Sequence, residues 1–197
     1  MAVPRSRISA SETYRLVCSD FHAICDFHRK ERNIISVANF LLNPGFLAIT
    51  LHRIAHYWHR RGMKLLTRLT YFLGQLLTSA DFAPSSRIGE RFVMLHATGS
   101  IIAGKIGKNV LFTAGNGMGG DGSSEDIGAG PGLPVIGDYV VFGARANVCG
   151  PCDVGDHAFI SAMSLVLKDV PAGATVFGIP ARVIKMHGHN NLQAPRN

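Results

Sequence analysis

The chain has few cysteines and no long uninterrupted apolar run, and both features limit the cellular compartments in which it can function. Four cysteines in 197 residues are too few for a dense disulfide framework, which favours a reducing compartment. The segment from Met1 to Ala10 lacks the apolar core of a signal peptide. The stretch from Ile34 to Trp58 is interrupted by polar and charged side chains, which excludes an ordinary membrane-spanning helix. We therefore expect a soluble, cytoplasmic protein.

Acidic residues are also scarce, since 13 Asp and Glu stand against 20 Lys and Arg and give a formal net charge of +7. A basic chain suits nucleic acid, an anionic membrane surface or a phosphorylated small molecule. No Arg-rich helix or zinc-knuckle spacing supports nucleic acid as a partner. The cations are densest between Arg53 and Arg68. That stretch is either a solvated helix face or a point of peripheral contact with an anionic membrane.

A repeat of six residues dominates the second half of the chain. Apolar side chains recur at Ile136, Phe142, Val148, Val154, Ile160 and Val166. Small or β-branched residues follow four places later, at Val140, Ala146, Cys152, Ala158, Ser164 and Val170. Neither an α-helix nor a lone strand has this period. The pattern is typical of a parallel β-helix built from hexapeptides, in which each short strand is followed by a corner.

The rest of the chain divides around this repeat. Residues 1–80 read as an α-helical N-terminal domain, with one helix beginning after Asn43 and Pro44 and another running over residues 63–77. Residues 81–186 read as the β-helix domain, and residues 187–197 as a flexible tail. An earlier, less regular ladder runs through Ile88, Met94, Ser100, Ile106, Phe112 and Met118. Ser100 breaks its apolar rule, so we expect residues 94–104 to be irregular. The glycine-rich residues 119–134 read as a loop that leaves the wall.

Three stretches resemble the serine acetyltransferase branch of the hexapeptide-repeat acyltransferases. The first is Asn43-Pro44-Gly45-Phe46-Leu47-Ala48 with Leu51-His52-Arg53-Ile54-Ala55-His56. The second is Asp81-Phe82-Ala83-Pro84-Ser85-Ser86-Arg87-Ile88-Gly89 followed by His96-Ala97-Thr98-Gly99. The third is Val166-Leu167-Lys168-Asp169-Val170-Pro171 followed by Gly178-Ile179-Pro180-Ala181-Arg182. This resemblance implies a left-handed parallel β-helix, acetyl-CoA as the donor, an O-acetylated product and assembly as a homotrimer or a dimer of trimers.

The resemblance also assigns a catalytic pair. In the family, a His in the segment that matches His96-Ala97-Thr98-Gly99 is the general base, and an Asp that matches Asp81 orients it. A hydroxyl is a poor nucleophile until its proton is removed. A His with a near-neutral pKa can take that proton and pass it to the departing thiolate. A carboxylate on the other ring nitrogen fixes the tautomer and stabilises the imidazolium.

The donor needs a dry slot for its pantetheine arm and partners for its phosphates. Small residues at ladder corners offer such a slot at Gly143, Ala144, Ser161 and Ala162. Lys168 and Arg182 are the candidate phosphate partners, and Gly120 is a further candidate donor-binding residue. A backbone amide within residues 118–120 could stabilise the oxyanion, and the sequence does not say which one. The alternatives are that the small residues only form corners and that the two cations are solvated.

The sequence also departs from the serine acetyltransferase pattern. Leu95 stands where the family has Asp, and Gly132-Leu133 stand where it has an Arg-His pair before Pro134. His28 loosely replaces an acidic residue. A zwitterion needs an acceptor for its ammonium and a donor for its carboxylate, and the side chains of Leu95 and Gly132-Leu133 supply neither. We therefore expect a small-molecule or glycan hydroxyl as the acceptor, above all a sugar of a surface polysaccharide or its precursor, as in the related colanic-acid-type acetyltransferases. The alternatives are serine O-acetylation in cysteine biosynthesis and a non-catalytic β-helix scaffold.

Two further motifs favour structural roles, and no metal is expected. Cys149-Gly150-Pro151-Cys152 has the spacing of a redox or metal-binding dithiol, but its cysteines occupy ladder and corner positions. His52, His56 and His59 share a helical face that could hold a metal, yet no acidic ligand lies nearby in the sequence. Surface or interface histidines are the commoner outcome.

Overall fold

The computed structural model describes residues 8–31, 39 and 42–186 of the chain. Among the helices that lie wholly within these residues are α1 (Ala10–His28), α2 (Pro44–Arg60) and α3 (Lys64–Thr78), which precede the strands. The side chain of Ser9 caps α1 by accepting from the amide of Glu12, and Asn43 caps α2. Pro44 fits the first turn of α2 because a proline there sacrifices no hydrogen bond. The predicted start of this helix is confirmed. The tail predicted for residues 187–197 lies outside the described residues.

Fifteen short strands follow and wind into a three-walled coil. They are β1 (Asp81–Phe82), β2 (Arg87–Ile88), β3 (Val93–His96), β4 (Ile101–Ile102), β5 (Lys105–Ile106), β6 (Leu111–Ala114), β7 (Gly117–Gly119), β8 (Val135–Ile136), β9 (Val141–Phe142), β10 (Asn147–Cys149), β11 (Asp153–Val154), β12 (Phe159–Ile160), β13 (Leu165–Val166), β14 (Ala174–Gly178) and β15 (Ala181–Met186).

Every third strand stacks on the same wall. Sheet A contains β1, β4, β7, β10 and β13, sheet B contains β2, β5, β8 and β11, and sheet C contains β3, β6, β9, β12, β14 and β15. All neighbours pair in parallel except β14 and β15, which form an antiparallel closing hairpin. The predicted parallel β-helix with a helical N-terminal region is confirmed. Its three edges are named here after the sheets they join, as the A–B, B–C and C–A edges.

The ladder residues fill the interior of the coil. All six apolar positions from Ile136 to Val166 are buried, as are the six small positions from Val140 to Val170. Phe92, Phe112 and Phe142 stack through successive turns with ring centroids 5.2 and 4.2 Å apart. Each side chain that points inward in a short strand meets its equivalent one turn away, which explains why the sequence repeats so strictly.

The less regular part of the ladder slips at one place. Ile102, not Ser100, occupies the interior position of β4, because the corner after β3 is longer than a hexad and the next connection is shorter. Ser100 is fully buried at the position used by Asn116, Ala146 and Ser164 in later turns. The two irregularities cancel, so that Ile106 returns to phase. The segment between β7 and β8 contains no strand, as predicted for the glycine-rich loop.

The helices pack on the first turns of the coil. Gly45, in the first turn of α2, lies so close to β3 that an added Cβ would fall 2.1 Å from the carbonyl oxygen of Met94. The buried side chain of Arg53 donates to the carboxylate of Asp20 and to backbone carbonyls of the coil. These contacts fix α1 and α2 to the strand that ends at His96.

Candidate active site

His96 is the last residue of β3, and its side chain lies at the C–A edge. The residues before it alternate toward the interior, so that Met94 is buried and the His96 side chain is exposed. In the parallel register His96 pairs with Ala114, and the same position in the next two turns is held by Ala144 and Ala162. Stacked strands are about 4.8 Å apart. A column of methyl side chains therefore extends from the imidazole along the edge.

Asp81 begins sheet A, and its carboxylate is held from the helical region. Its amide donates to the carbonyl oxygen of Ser100 at 2.9 Å, while the hydroxyl of Tyr71 in α3 donates to Oδ1 at 2.5 Å. Gln75 Nε2 in turn donates to the Tyr71 hydroxyl at 2.9 Å. Burial, together with the hydrogen bond to Asp81, raises the pKa of Tyr71 to about 12. The tyrosine therefore remains a donor at neutral pH.

Asp81 and His96 lie near the same edge of the coil. The corner that follows His96 rests on the chain just before Asp81, where the amide of Gly99 donates to the carbonyl oxygen of Ser79 at 3.0 Å. Among the residues that the structure describes, no hydrogen bond or ion pair joins the Asp81 carboxylate to the His96 ring. Their pairing in catalysis stays a prediction.

An open groove with a volume of about 610 Å³ runs along the same edge. Its wall includes backbone and side chains from four successive turns, among them Thr98, Gly99, Gly115, Arg145, Met163 and Ile179. Gly115, Arg145 and Met163 turn this corner with a positive φ of 57° to 61°. Arg145 brings a cation to the groove that the sequence analysis missed. The only signal was its place directly after Ala144 in the hexad.

The seven residues predicted to bind the donor divide between two edges and the closing hairpin. Gly143, Ala144, Ser161 and Ala162 lie at the C–A edge, in the turns beyond His96. Gly120 and Lys168 follow strands of sheet A and so lie near the A–B edge. Arg182 is exposed in β15. Within one chain, only the first four residues share an edge with the imidazole.

The loop Gly120–Pro134 is closed on itself by acidic side chains. The Asp126 carboxylate accepts from the amides of Gly128 and Gly130, and Asp121 accepts from the amide of Ser123. These bonds lower the pKa of both carboxyls. The loop contains no basic residue. The amide predicted to stabilise an oxyanion near Gly120 stays a prediction.

The residue before His96 gives the site an apolar side. Leu95 is partly buried against the core and precedes the imidazole directly in β3. Its equivalents in later turns are Thr113, Gly143 and Ser161. A bound acceptor that reached His96 past Leu95 would meet hydrocarbon and no charge. The leucine therefore favours an uncharged neighbour at that point.

The cysteine and histidine motifs both lie in packed surroundings. Burial raises the pKa of the Cys152 thiol to about 11, and Asp169 and Cys149 act in the same direction, so it is protonated at neutral pH. A protonated thiol is a poor nucleophile and metal ligand. The rings of His52, His56 and His59 stack along α2 at 5.9 and 6.5 Å. Across the described residues, no cluster of three or more potential ligands could hold a metal ion.

Helix α3 turns a row of large apolar side chains to solvent. The row comprises Leu65, Leu69, Phe72, Leu73, Leu76 and Leu77, which are between 42% and 71% exposed. None of the helices within the described residues is long and apolar enough to cross a bilayer. Peripheral contact of the basic stretch with a membrane stays a prediction.

Comparison with known proteins names the family. No protein-family profile matches the chain. A serine acetyltransferase of Synechococcus elongatus is 34% identical over 177 residues, which are 89% of this chain and 70% of the relative. The chain belongs to the serine acetyltransferase family. The predicted membership among the hexapeptide-repeat acyltransferases is confirmed, and this member of the family is therefore an enzyme of the acyltransferase class.

Solved structures of serine acetyltransferases share the architecture. The enzyme of Neisseria gonorrhoeae in complex with serine superimposes with a TM-score of 0.78 at 31% identity, covering 90% of this chain and 71% of that one. A serine acetyltransferase in complex with CoA gives a TM-score of 0.76 at 28% identity, covering 89% and 71%. The serine acetyltransferase fold thus extends over nearly the whole of this chain.

Proposed function

We propose that this chain is an acetyl-CoA-dependent O-acetyltransferase that uses His96 as its general base. The observation that supports the proposal is the exposed imidazole at the end of β3, from which a column of small side chains extends along the C–A edge of a serine acetyltransferase fold. The relatives are serine acetyltransferases, and one structural neighbour was solved with CoA. Acetyl-CoA is the donor that accounts for both facts.

The proposed reaction needs one proton carrier and no covalent enzyme intermediate. Neutral His96 takes the proton of the acceptor hydroxyl while its oxygen attacks the thioester carbonyl carbon. When the tetrahedral intermediate collapses, the carbon–sulfur bond breaks and the imidazolium returns the proton to the CoA thiolate. Asp81 would stabilise the imidazolium once its free carboxylate oxygen pairs with the ring. The column Ala114, Ala144 and Ala162 would line the pantetheine arm.

The comparisons favour serine as the acceptor over the sugar that was predicted from the sequence. The relatives named above are serine acetyltransferases, and the Neisseria gonorrhoeae structure holds serine. No comparison supports the sugar acceptor that was predicted. We therefore propose O-acetylation of serine as the function that these comparisons favour.

A different uncharged hydroxyl is the second candidate, and one observation favours it. Leu95 places hydrocarbon directly before the base, and the glycine-rich loop carries no cation that could pair with a carboxylate. An amino acid bound there would find no ionic partner in Leu95 or in the glycine-rich loop, and a charge that loses water without gaining a partner is costly. A neutral polyol would not incur this cost.

The assembly that fits these positions is a trimer. Gly120 and Lys168 lie near the A–B edge, and Ala144 and Ala162 lie at the C–A edge. If an adjacent copy supplied one of the two sets, a single CoA molecule between the copies could contact both. A closed ring of three copies provides three such interfaces.

Thiol release from acetyl-CoA tests the function directly. Purified protein would be assayed with serine, homoserine, hexoses and nucleotide sugars. Turnover of serine alone would establish serine acetylation, whereas turnover of a neutral hydroxyl alone would establish the second candidate. No release with any acceptor, together with no CoA binding by calorimetry, would leave the scaffold alternative and refute the proposal.

Two variants test the assigned roles. His96→Ala should abolish turnover and leave CoA binding nearly unchanged, while His157→Ala, which removes a histidine at the B–C edge, should retain activity. Asp81→Asn should lower kcat by orders of magnitude because the imidazole loses its orienting partner. Near wild-type turnover in either variant would remove that residue from the mechanism.

A further inference from the structure

The hydrogen bond between Tyr71 and Asp81 joins the helical region to the proposed catalytic carboxylate. Tyr71 lies in the middle of α3, and Asp81 begins β1 after the chain reverses at Ser79, which adopts a positive φ of 55°. This reversal brings the hydroxyl of the helix back to within 2.5 Å of Oδ1. The connection is short and covalently continuous. The two side chains are therefore held together by local backbone geometry.

Tyr71 acts as a donor to the carboxylate. Its pKa of about 12 keeps the proton on the phenol. The side-chain amide of Gln75, one turn farther along α3, donates to the phenol oxygen, which therefore already acts as an acceptor. The phenol proton is thus directed to Asp81. Within the described residues Oδ2 of Asp81 has no hydrogen-bond partner. One carboxylate oxygen is fixed and the other is free.

We propose that Tyr71 is a positioning residue that anchors Oδ1 of Asp81, so that Oδ2 is the oxygen presented to His96. This inference rests on the proposed function, in which Asp81 orients the base. A carboxylate that is held at one oxygen loses less rotational freedom when it pairs with the imidazole. The Gln75–Tyr71–Asp81 chain also connects the packing of α3 to the basicity of His96.

The bond has a defined electrostatic consequence. A donor on one oxygen draws charge from the carboxylate and weakens its hold on a nearby imidazolium. Removal of the Tyr71 hydroxyl should therefore raise the pKa of His96 when Asp81 pairs with it. A residue that supports only the fold would not move this pKa. The shift must also depend on a charged Asp81.

Titration of His96 by NMR tests this coupling without any need for turnover. The His96 resonance is assigned by its loss in His96→Ala, and its pKa is compared in the wild type, Tyr71→Phe, Asp81→Asn and the double variant. We expect a higher pKa in Tyr71→Phe and no further effect of that change in the Asp81→Asn background. An unchanged pKa in Tyr71→Phe, or an equal shift in both backgrounds, would overturn the proposal.

Kinetics provide the second readout. Tyr71→Phe should lower kcat by about tenfold, since an orienting contact is lost, with KM for acetyl-CoA changed less than about twofold. Gln75→Leu should give a smaller loss of the same sign. Tyr57→Phe removes a hydroxyl from α2 that makes no hydrogen bond among the described residues, and it should leave kcat unchanged. Equal kcat values for Tyr71→Phe and the wild type would refute the role.

The two proposals fail in different ways. If the wild type transfers acetyl to no hydroxyl, the proposed function fails, but the NMR comparison still shows whether Tyr71 controls the carboxylate beside His96. If the wild type is active and Tyr71→Phe matches it in both kcat and the pKa of His96, the function stands and the role of Tyr71 is refuted.

Discussion

The guanidinium of Arg53 forms a bidentate salt bridge with the carboxylate of Asp20, in which Nε lies 3.0 Å from Oδ2 and Nη2 lies 3.2 Å from Oδ1. The two side chains are 4% and 1% exposed. Asp20 also accepts from the amide of Phe92 at 2.9 Å, and Arg53 donates to the carbonyl oxygens of Ile88 and Gly89. This pair therefore connects α1, α2 and the first turn of the coil.

Loss of one partner in this pair should destabilise the protein strongly. Asp20→Ala leaves a buried guanidinium without its counter-ion, which typically costs about 3–5 kcal/mol. Arg15→Ala is the matched control, because its bond to Glu90 joins side chains that are 62% and 29% exposed, and it should cost less than about 1 kcal/mol. Denaturant unfolding measures both changes. Equal losses for the two variants would contradict the role assigned to the buried pair.

Two helical glycines should respond in opposite ways to alanine. In Gly45→Ala the new methyl group would meet the carbonyl oxygen of Met94, so α2 must move away from β3. In Gly74→Ala it would make an ordinary contact with Leu51 at 3.7 Å. Alanine is favoured over glycine within a helix by up to about 1 kcal/mol. Thermal unfolding should show a clear loss for Gly45→Ala and no loss for Gly74→Ala.

Acid should destabilise the protein through the histidines of α2. Burial, with smaller contributions from His56 and Arg53, lowers the pKa of His52 well below its ordinary value of 6.5. Burial also lowers the pKa of His56. Near pH 6.5, these two histidines therefore bind protons in the unfolded chain but not in the folded chain. Stability is retained above that pH and is lost as the pH falls below it.

The slope of this loss can be assigned by mutation. Each buried histidine contributes at most about 1.4 kcal/mol per pH unit to the free energy of unfolding. His52→Phe should therefore flatten the decline between pH 6.5 and pH 5 in denaturant titrations, while His157→Gln on the coil should not. An unchanged slope in His52→Phe would show that other groups cause the acid sensitivity.

The small column beside His96 should be necessary for donor binding. Ala162→Leu would extend a branched side chain from an exposed position at the C–A edge, and it should weaken CoA binding at least tenfold in calorimetry. Ala172→Leu places the same group at an exposed position near the B–C edge, where no effect on CoA is expected. Unchanged CoA binding in Ala162→Leu would exclude this edge as the pantetheine slot.

The periodic parts of the fold could be predicted from the sequence, and the irregular parts could not. Apolar residues such as Phe142 recur every six positions because each one packs against its equivalents in neighbouring turns. Their positions can therefore be predicted from the spacing. The slip at Ser100 was predicted only as an irregularity somewhere within residues 94–104, because a long corner and a short one cancel over the following residues. Counting from either side gives the correct phase at Ile106.

The candidate site was predictable only where it carried a motif. His96 and Asp81 belong to short matched segments, and Ala144 and Ala162 to the repeat. Tyr71 and Arg145 belong to no motif, and their relevance depends on how α3 folds back on β1 and how a corner turns. Gly120 and Lys168 lie near a different edge of the coil from the four predicted contacts beside His96. Only the three-walled structure shows this separation. Local spacing contains none of this information.

The loop Gly120–Pro134 leaves one wall at the end of β7 and rejoins the next at β8, within a coil whose register is the same on both sides. Its length can therefore vary without displacing any residue of the scaffold. Chimeras that exchange residues 121–134 between related enzymes, and so keep Gly120, should retain their affinity for the thioester while their choice of alcohol changes. We therefore expect the coil to govern donor recognition and this loop to govern acceptor recognition.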